Sequence, residues 1–289
     1  MRRVLLGIAA LAGIGLILLA VQAAWDASVF DLGPLSTRAP QRTALMRERV
    51  DQARQDGRRL AIDQRWVPYG SISPLLRRAV LIAEDDAFFS HAGLDWNGIR
   101  DAARKNLEAG RVVRGGSTVT QQLAKNLYLG EERTPVRKLR EVFLALRLER
   151  TLSKRRIFEL YLNLIEWGNG IFGAEAAARR YFGVPASELN PRQACLLAAM
   201  ITRPRRESPL HPSRRLERRV RMIATRLHQR GVLDDGQYEV ALGRAPVERS
   251  LFDWLFGRSP TPPAPAPTET SVPDSAALEP DTAATAPPQ

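Results

Sequence analysis

Apolar residues recur through the middle of this chain every three or four positions, and only rarely every second one. That period belongs to helices that bury one face. Leu75, Leu76, Ala79, Val80 and Ile82 place a short helix over 75–83. Ser73 followed by Pro74 is its start signal, a capping hydroxyl before the residue that needs no amide hydrogen in the first turn. The same spacing predicts helices over 99–107, 119–129, 136–150, 154–164, 174–181, 191–201 and 213–230, with Gly110 ending the first of these and Ser153 capping 154–164. In 136–150, Leu139, Val142, Phe143 and Leu146 share one face. Alternating strand patterns are few, and no repeat of fixed period stands out. The expectation is a mainly α domain from about Asp63 to Gly231, followed by an extension over 232–258.

The two ends break this pattern in opposite ways. After the basic start Met1-Arg2-Arg3, residues 4–21 run without a charge, and Trp25 precedes the first acid at Asp26. About 20 apolar residues cross a bilayer core as a helix, so 1–25 reads as a basic start and a transmembrane helix. Arg2 and Arg3 then stay in the cytoplasm, Trp25 sits at the far interface and the rest lies outside. A cleaved signal peptide is the alternative, because Val21-Gln22-Ala23 offers small residues at a cleavage-like spacing. The run is longer than a usual signal core, which favours a retained anchor. Residues 26–62 read as a juxtamembrane linker, whose basic part over 38–59 is a linker or a juxtamembrane helix with little core and rests on anionic lipid headgroups. At the other end, 259–289 is Pro, Ala, Thr and Ser with four acids and no basic residue. It lacks the apolar surface to offset its ordering entropy and reads as a disordered tail.

Charge sharpens the picture. A formal net charge of +12 over 289 residues and a pI near 10.8 point to polyanionic partners: phosphodiesters, pyrophosphates or anionic headgroups. The single Cys195, set among apolar neighbours, reads as a small buried hydrophobe. His91, His211 and His228 are scattered, which argues against a structural zinc site. No Rossmann fingerprint, Walker loop or nucleophile elbow is present.

Four clusters can carry chemistry. Glu84-Asp85-Asp86 ends an apolar helix beside Phe88-Phe89. Desolvation there raises a carboxyl pKa and suits a general base or acid, but by spacing alone a solvated acidic turn is the simpler reading. Gly115-Gly116-Ser117-Thr118 opens a helix that carries Gln121, Gln122 and Lys125. It is either an anion cradle or a plain cap, with Arg114, Lys125 and Arg133 adding positive charge around it. Arg137 and Glu141, one turn apart, read as an ordinary surface ion pair of little energetic worth. Glu159 and Asn163 share a helix face, as most structural pairs do.

Taken in order, these clusters resemble the five motifs of the family 51 glycosyltransferases, the peptidoglycan polymerases. The matching stretches are 84–95 (EDDAFFSHAGLD), 115–126 (GGSTVTQQLAKN), 137–141 (RKLRE), 156–163 (RIFELYLN) and 176–183. The resemblance covers about 66–230 and is closest to monofunctional members, with no penicillin-binding domain following. It implies a lysozyme-like, two-lobed glycosyltransferase domain behind an N-terminal transmembrane helix. It implies polymerisation of lipid II into β-1,4-linked strands with inversion and release of undecaprenyl pyrophosphate. By motif position Glu84 is the base and Glu141 the second carboxylate. Lys125 and Arg133 match phosphate-contacting positions, and Ser117, Gln121 and Arg140 are substrate contacts. Glu159 and Asn163 go to architecture near the cleft. No cofactor is required, although a divalent cation, Mg or Mn, can screen the pyrophosphate. The implied partners are lipid II, the lipid-linked strand, membrane lipids and other cell-wall synthases, and no nucleic acid. The one departure within the motifs, Val119 where many members carry Ile or Leu, is minor.

Two rival readings remain. A glycan-cleaving enzyme shares a helical fold with a catalytic Glu after a helix, but it has no need of Lys125 and Arg133 arranged for a pyrophosphate. A basic scaffold or nucleic-acid binder leaves the ordered clusters unexplained and interleaves its aromatic and basic residues poorly for base stacking.

Overall fold

The computed structural model describes residues 13, 15, 17, 19–25, 28–111, 115–132 and 134–244; among them are helical residues 19–25, ten further α-helices, short 3-10 and π turns, and one small sheet. The helices are α1 (Ala44–Gln55), α2 (Pro74–Glu84), α3 (Trp96–Glu108), α4 (Val119–Ala124), α5 (Pro135–Thr151), α6 (Lys154–Leu164), α7 (Ala174–Phe182), α8 (Pro191–Met200), α9 (Arg214–Gln229) and α10 (Asp235–Ala241). Strands β1 (Asp63–Gln64), β2 (Glu166–Gly168) and β3 (Ile171–Phe172) form a sheet of order β1-β3-β2, with β1 parallel and β2 antiparallel to β3. The class is mainly α, as the apolar period predicts. Strands two or three residues long are too short to leave an alternating pattern.

Polar caps set most helix starts. Thr118, Thr134, Ser153, Asn190, Ser213 and Asp234 each accept an amide hydrogen from the first turn of the helix they precede. Ser73 does not. Pro74 opens α2 as expected, but the Ser73 side chain makes no capping bond, and its backbone amide donates to Ala186 O at 2.9 Å. The Ser73 amide is thus held by a long-range contact, and the helix start carries no side-chain cap.

The core gathers α2 against α8 and α9, and α4 against α5 and α6. Trp167, Tyr161, Phe88, Phe158 and Phe172 are its largest fully buried side chains. Cys195 is buried among them, and burial pushes its thiol up to about 12, as fits an inert apolar filler. Helix α1 corrects the reading of 38–59 as having little core. Leu45, Met46 and Ala53 are buried, and the helix packs on residues 125–129. Beyond 231, α10 packs on α8 and α9.

All the described residues belong to one compact unit, Met1–Pro246. Among them no helix is long and apolar enough to cross a membrane. The apolar run over 4–21 lies mostly, and the 259–289 tail wholly, outside the described residues.

Gly173 marks a point where backbone shape is decisive. It starts α7 with φ 87° and ψ 152°, a conformation open essentially to glycine alone. A Cβ there would lie 2.7 Å from Asn163 O. Gly173→Ala is therefore expected to cost about 1–3 kcal/mol from backbone strain alone. Urea unfolding should show a lower midpoint with an unchanged slope, and an unchanged midpoint would refute the strain.

Candidate active site

Helix α2 ends at Glu84, and the chain turns sharply after it, so three consecutive acids reach three different environments. Only Asp86 is exposed, in an ion pair with Arg230. The solvated-turn reading fails for the other two. The Glu84 side chain is 8% exposed. Its Oε2 accepts from Gln122 Nε2 at 3.1 Å, and its Oε1 lies 3.4 Å from an Arg219 nitrogen. Desolvation raises its pKa, outweighing the opposing pull of Gln122, Arg219 and Lys125.

Asp85 faces the interior and acts as a clasp. Both its oxygens lie 3.1 Å from His91 Nε2, and Oδ2 also accepts from the Val119 amide at 2.9 Å. His91 Nδ1 accepts from the Gly93 amide at 3.2 Å, which leaves the ring proton on Nε2, aimed at Asp85. Thr118 Oγ1 donates to Gly93 O at 2.7 Å. The loop after Glu84 is thereby stitched to the start of α4.

Helix α4 then presents the polar groups. A capping box opens it: Thr118 Oγ1 accepts from the Gln121 amide at 3.2 Å, and Gln121 Oε1 accepts from the Thr118 amide at 2.9 Å. Gln121 is buried, and its side-chain oxygen serves this cap. Its neighbour Gln122 is the one that reaches Glu84. After Ala124 the helix widens into a π turn, Lys125–Leu129, that ends at Gly130 with φ 69°. Such turns recur at functional sites because they redirect side chains. Here Lys125 is turned into a partly buried setting, where desolvation lowers its pKa against the pull of Glu131 and Glu141.

Glu141 overturns the surface-pair reading. It is 3% exposed, accepting from Arg137 at 2.7 Å and from Lys138. Lys138 Nζ also donates to Ser117 Oγ at 2.9 Å, so Ser117 and Glu141 share one cation. Arg140 lies half-buried beside Glu141 on α5. Arg133 and Arg114 lie outside the described residues. Glu159 pairs with Arg156 at 2.9 Å. Asn163 bonds the Val67 amide at 2.9 Å and the Val67 carbonyl at 3.0 Å, the architectural work expected of it.

A cavity of about 660 Å3 opens beside Gln122 and Lys125. Arg49, Arg203, Arg205, Glu131 and Glu166 also line it. Arg49 is buried, donating to Glu166 at 2.9 Å and to Glu131 at 2.7 Å. Burial works against its charge, but the two carboxylates outweigh it and hold the guanidinium above its ordinary range. Arg49 holds Glu131 below the usual carboxylate range, while burial pushes Glu166 up. Arg206 lines the cavity as well, and with five cations to two carboxylates the wall favours an anion. Among the described residues, no three His, Cys, Asp or Glu side chains gather as metal ligands.

Gln122 was open to discovery in the sequence, since it stands three positions before Lys125 and so shares its helix face. Arg49 was not, since its partner Glu166 is 117 residues away.

The geometry can hold an anionic group beside a buried carboxyl that is poised to exchange a proton. A family model described as Transglycosylase matches residues 53–228. A protein of Methylobacillus flagellatus is 52% identical over 188 residues, covering 65% of this chain and 82% of its own length. One of Nitrosospira multiformis is 48% identical with the same coverage. One of Azoarcus sp. is 48% identical over 202 residues, 70% of this chain and 85% of its own length. All three carry the name biosynthetic peptidoglycan transglycosylase.

Proposed function

The chain belongs to the transglycosylase family, and from that premise we propose how its own residues carry out the reaction. The protein is a peptidoglycan glycosyltransferase that builds glycan strands from lipid II at the cell envelope. One observation carries the residue assignment. A buried carboxyl, Glu84, sits at a helix end, hydrogen-bonded to Gln122 of a cavity rich in cations, its pKa raised by desolvation.

Glu84 is the general base. It takes the proton from the 4-hydroxyl of the incoming lipid II, whose oxygen attacks the anomeric carbon of the growing strand. The bond to undecaprenyl pyrophosphate breaks from the opposite face, which inverts the centre and gives a β-1,4 link. The departing pyrophosphate carries away the electron pair. Lys125, with Arg133, neutralises it, as cations do when they take the place of a general acid. Glu141 orients Arg137 and Lys138, and through Lys138 it holds Ser117 toward the substrate. Arg140 is a further substrate contact, and Gln121, whose side-chain oxygen is engaged by Thr118 in the capping box, keeps only its amide nitrogen for one. The chemistry needs no cofactor. Glu131 and Glu166, the carboxylates that line the cavity, are both held by Arg49 and suit a divalent ion such as Mg or Mn poorly, so no step is routed through one.

The fold is read as the lysozyme-like, two-lobed domain of this family, an assignment supported by the mainly helical architecture. The anchor is read as a single cytoplasmic-membrane span with the domain outside, supported by Arg2, Arg3 and the apolar run after them. The exposed arginines of α1 (Arg47 and Arg54) then face lipid headgroups, and other cell-wall synthases are its protein partners.

Incubation of the full-length protein in detergent with labelled lipid II should give a polymer that a muramidase digests. Its rate should follow a bell in pH. The acid limb should lie above the ordinary carboxylate range, because Glu84 must be ionised and its pKa is raised. The alkaline limb should lie below the ordinary lysine range, because Lys125 must be charged and its pKa is lowered. Well-folded protein that makes no polymer would end the glycosyltransferase reading. An acid limb at an ordinary glutamate value would remove Glu84 from it.

A further inference from the structure

Glu84 has one oxygen tied down and the other turned toward a looser partner, and Gln122, a residue of the second motif to which the resemblance gave no role, makes the difference. Gln122 Nε2 donates to Glu84 Oε2 at 3.1 Å, and Gln122 Oε1 accepts from the Tyr161 hydroxyl at 3.0 Å. We propose that Gln122 is a positioning residue for Glu84, and that Tyr161 fixes which end of the Gln122 amide faces the carboxylate. The proposal rests on Glu84 being the base.

An amide can turn either way, and only its surroundings decide between its oxygen and its nitrogen. With the amide reversed, Gln122 Oε1 would meet Glu84 Oε2, two acceptors with no hydrogen between them. At the other end, the amide nitrogen would meet a phenol whose proton had lost its acceptor. Tyr161 is fully buried, so water does not supply a replacement. Burial, together with the nearby Glu84 and Asp85, holds its hydroxyl well above the ordinary phenol range, so it stays a donor at every working pH. The chain therefore has one direction: phenol to amide to carboxylate.

Tyr161 and Gln122 come from different helices, α6 and α4, which pack directly on each other. The Tyr161 ring lies flat against Phe158, with centroids 6.3 Å apart and planes 18° from parallel, and Phe158 in turn meets Phe88 of the loop after Glu84 at 5.6 Å. The hydroxyl is thus presented from a rigid aromatic layer. The result for Glu84 is an asymmetric carboxylate. Oε2 is spent on Gln122. Oε1, 3.4 Å from Arg219, keeps the capacity to take the acceptor's proton. Gln122 also lines the cavity with Lys125, so α4 and the π turn that continues it carry the aligner of the base and the cation for the leaving group. A misaligned base costs turnover rather than binding, because substrate is held elsewhere.

The test is a panel of full-length variants assayed for polymerisation across pH, with kcat and KM separated and folding checked by thermal melting. Gln122→Met keeps the volume and removes both hydrogen bonds. It should lower kcat by ~10- to ~100-fold, leave KM within about twofold and move the acid limb to higher pH. Gln122→Glu keeps the shape, sets a second acid beside Glu84 and should move the limb further. Tyr161→Phe should move it the same way by less, and Tyr161→Phe combined with Gln122→Met should be no worse than Gln122→Met alone. A merely structural role predicts lower melting temperatures with an unmoved acid limb, and that result would overturn the proposal. Glu84→Gln in the same panel separates the two failures. Full turnover there would overturn the base assignment and this proposal with it. A dead Glu84→Gln beside a Gln122→Met of normal kcat and pH profile would overturn the positioning role alone.

Discussion

Glu84→Gln is expected to abolish polymerisation while making the protein more stable at neutral pH. The first effect follows from losing a general base, a contribution of about 10²- to 10⁴-fold. The amide keeps the shape, so binding of lipid II should survive. The second effect follows from the direction of the pKa shift. The folded state raises the Glu84 pKa through desolvation. The stability this group contributes is therefore full below the unfolded glutamate pKa and is lost as pH rises through the folded value. At neutral pH the wild-type fold holds a charge that its burial disfavours, and Gln removes that charge. Arg219 loses a partner 3.4 Å away, but its side chain is 24% exposed and remains solvated. Melting temperatures of the two proteins should differ most near neutral pH and converge below about pH 4, where the carboxyl is protonated in both states. Near-normal turnover would remove Glu84 from the mechanism. A lower melting temperature at neutral pH would mean that its contacts with Gln122 and Arg219 outweigh its burial.

Lys125→Met carries the second large effect. Met keeps the apolar stem and volume and removes the charge. If Lys125 neutralises the departing pyrophosphate, its loss should cost about 10²- to 10³-fold in kcat, the range for removing one preorganised group that stabilises transition-state charge. The loss should fall on the donor. Rates measured against rising concentrations of lipid-linked strand should suffer more than rates measured against lipid II as acceptor. Stability should hold, because desolvation already disfavours the charged form in the fold. Equal losses on both substrates would argue against a leaving-group role. An unchanged kcat would move the anion site away from the π turn after α4.

Much of the fold was legible because its signals are local. The period of apolar positions, with Pro74 as a start signal and Ser153 as a cap, located the helices from 74 to 229 to within a few residues, although α3 begins three positions earlier than the pattern predicts. Ser73 shows where local reading stops: its amide found Ala186, and its hydroxyl did not cap. The site was legible in the same measure. Glu84, Lys125 and Glu141 were nominated by their positions in motifs that resemble a family's, and the structure brings Lys125 close enough to Glu84 to act on its charge. Their environments were not legible. Spacing made Glu84-Asp85-Asp86 a wet turn and Arg137–Glu141 a surface pair. Packing buried Glu84, Asp85 and Glu141 instead.

The sequence by itself determined the helical class, most helix limits, the family motifs in their order and the basic character that suits a pyrophosphate substrate. These depend on backbone propensity, side-chain period and total charge, all properties of neighbours along the chain. Only the tertiary structure decided which carboxyl is desolvated. It decided that Gln122, rather than Gln121, meets Glu84, because the capping box engages Gln121 with Thr118. It also joined Arg49 to Glu166 and Tyr161 to Gln122 across 117 and 39 residues. Burial and long-range hydrogen bonds arise from how helices pack, and a charge acquires its pKa from what surrounds it in space.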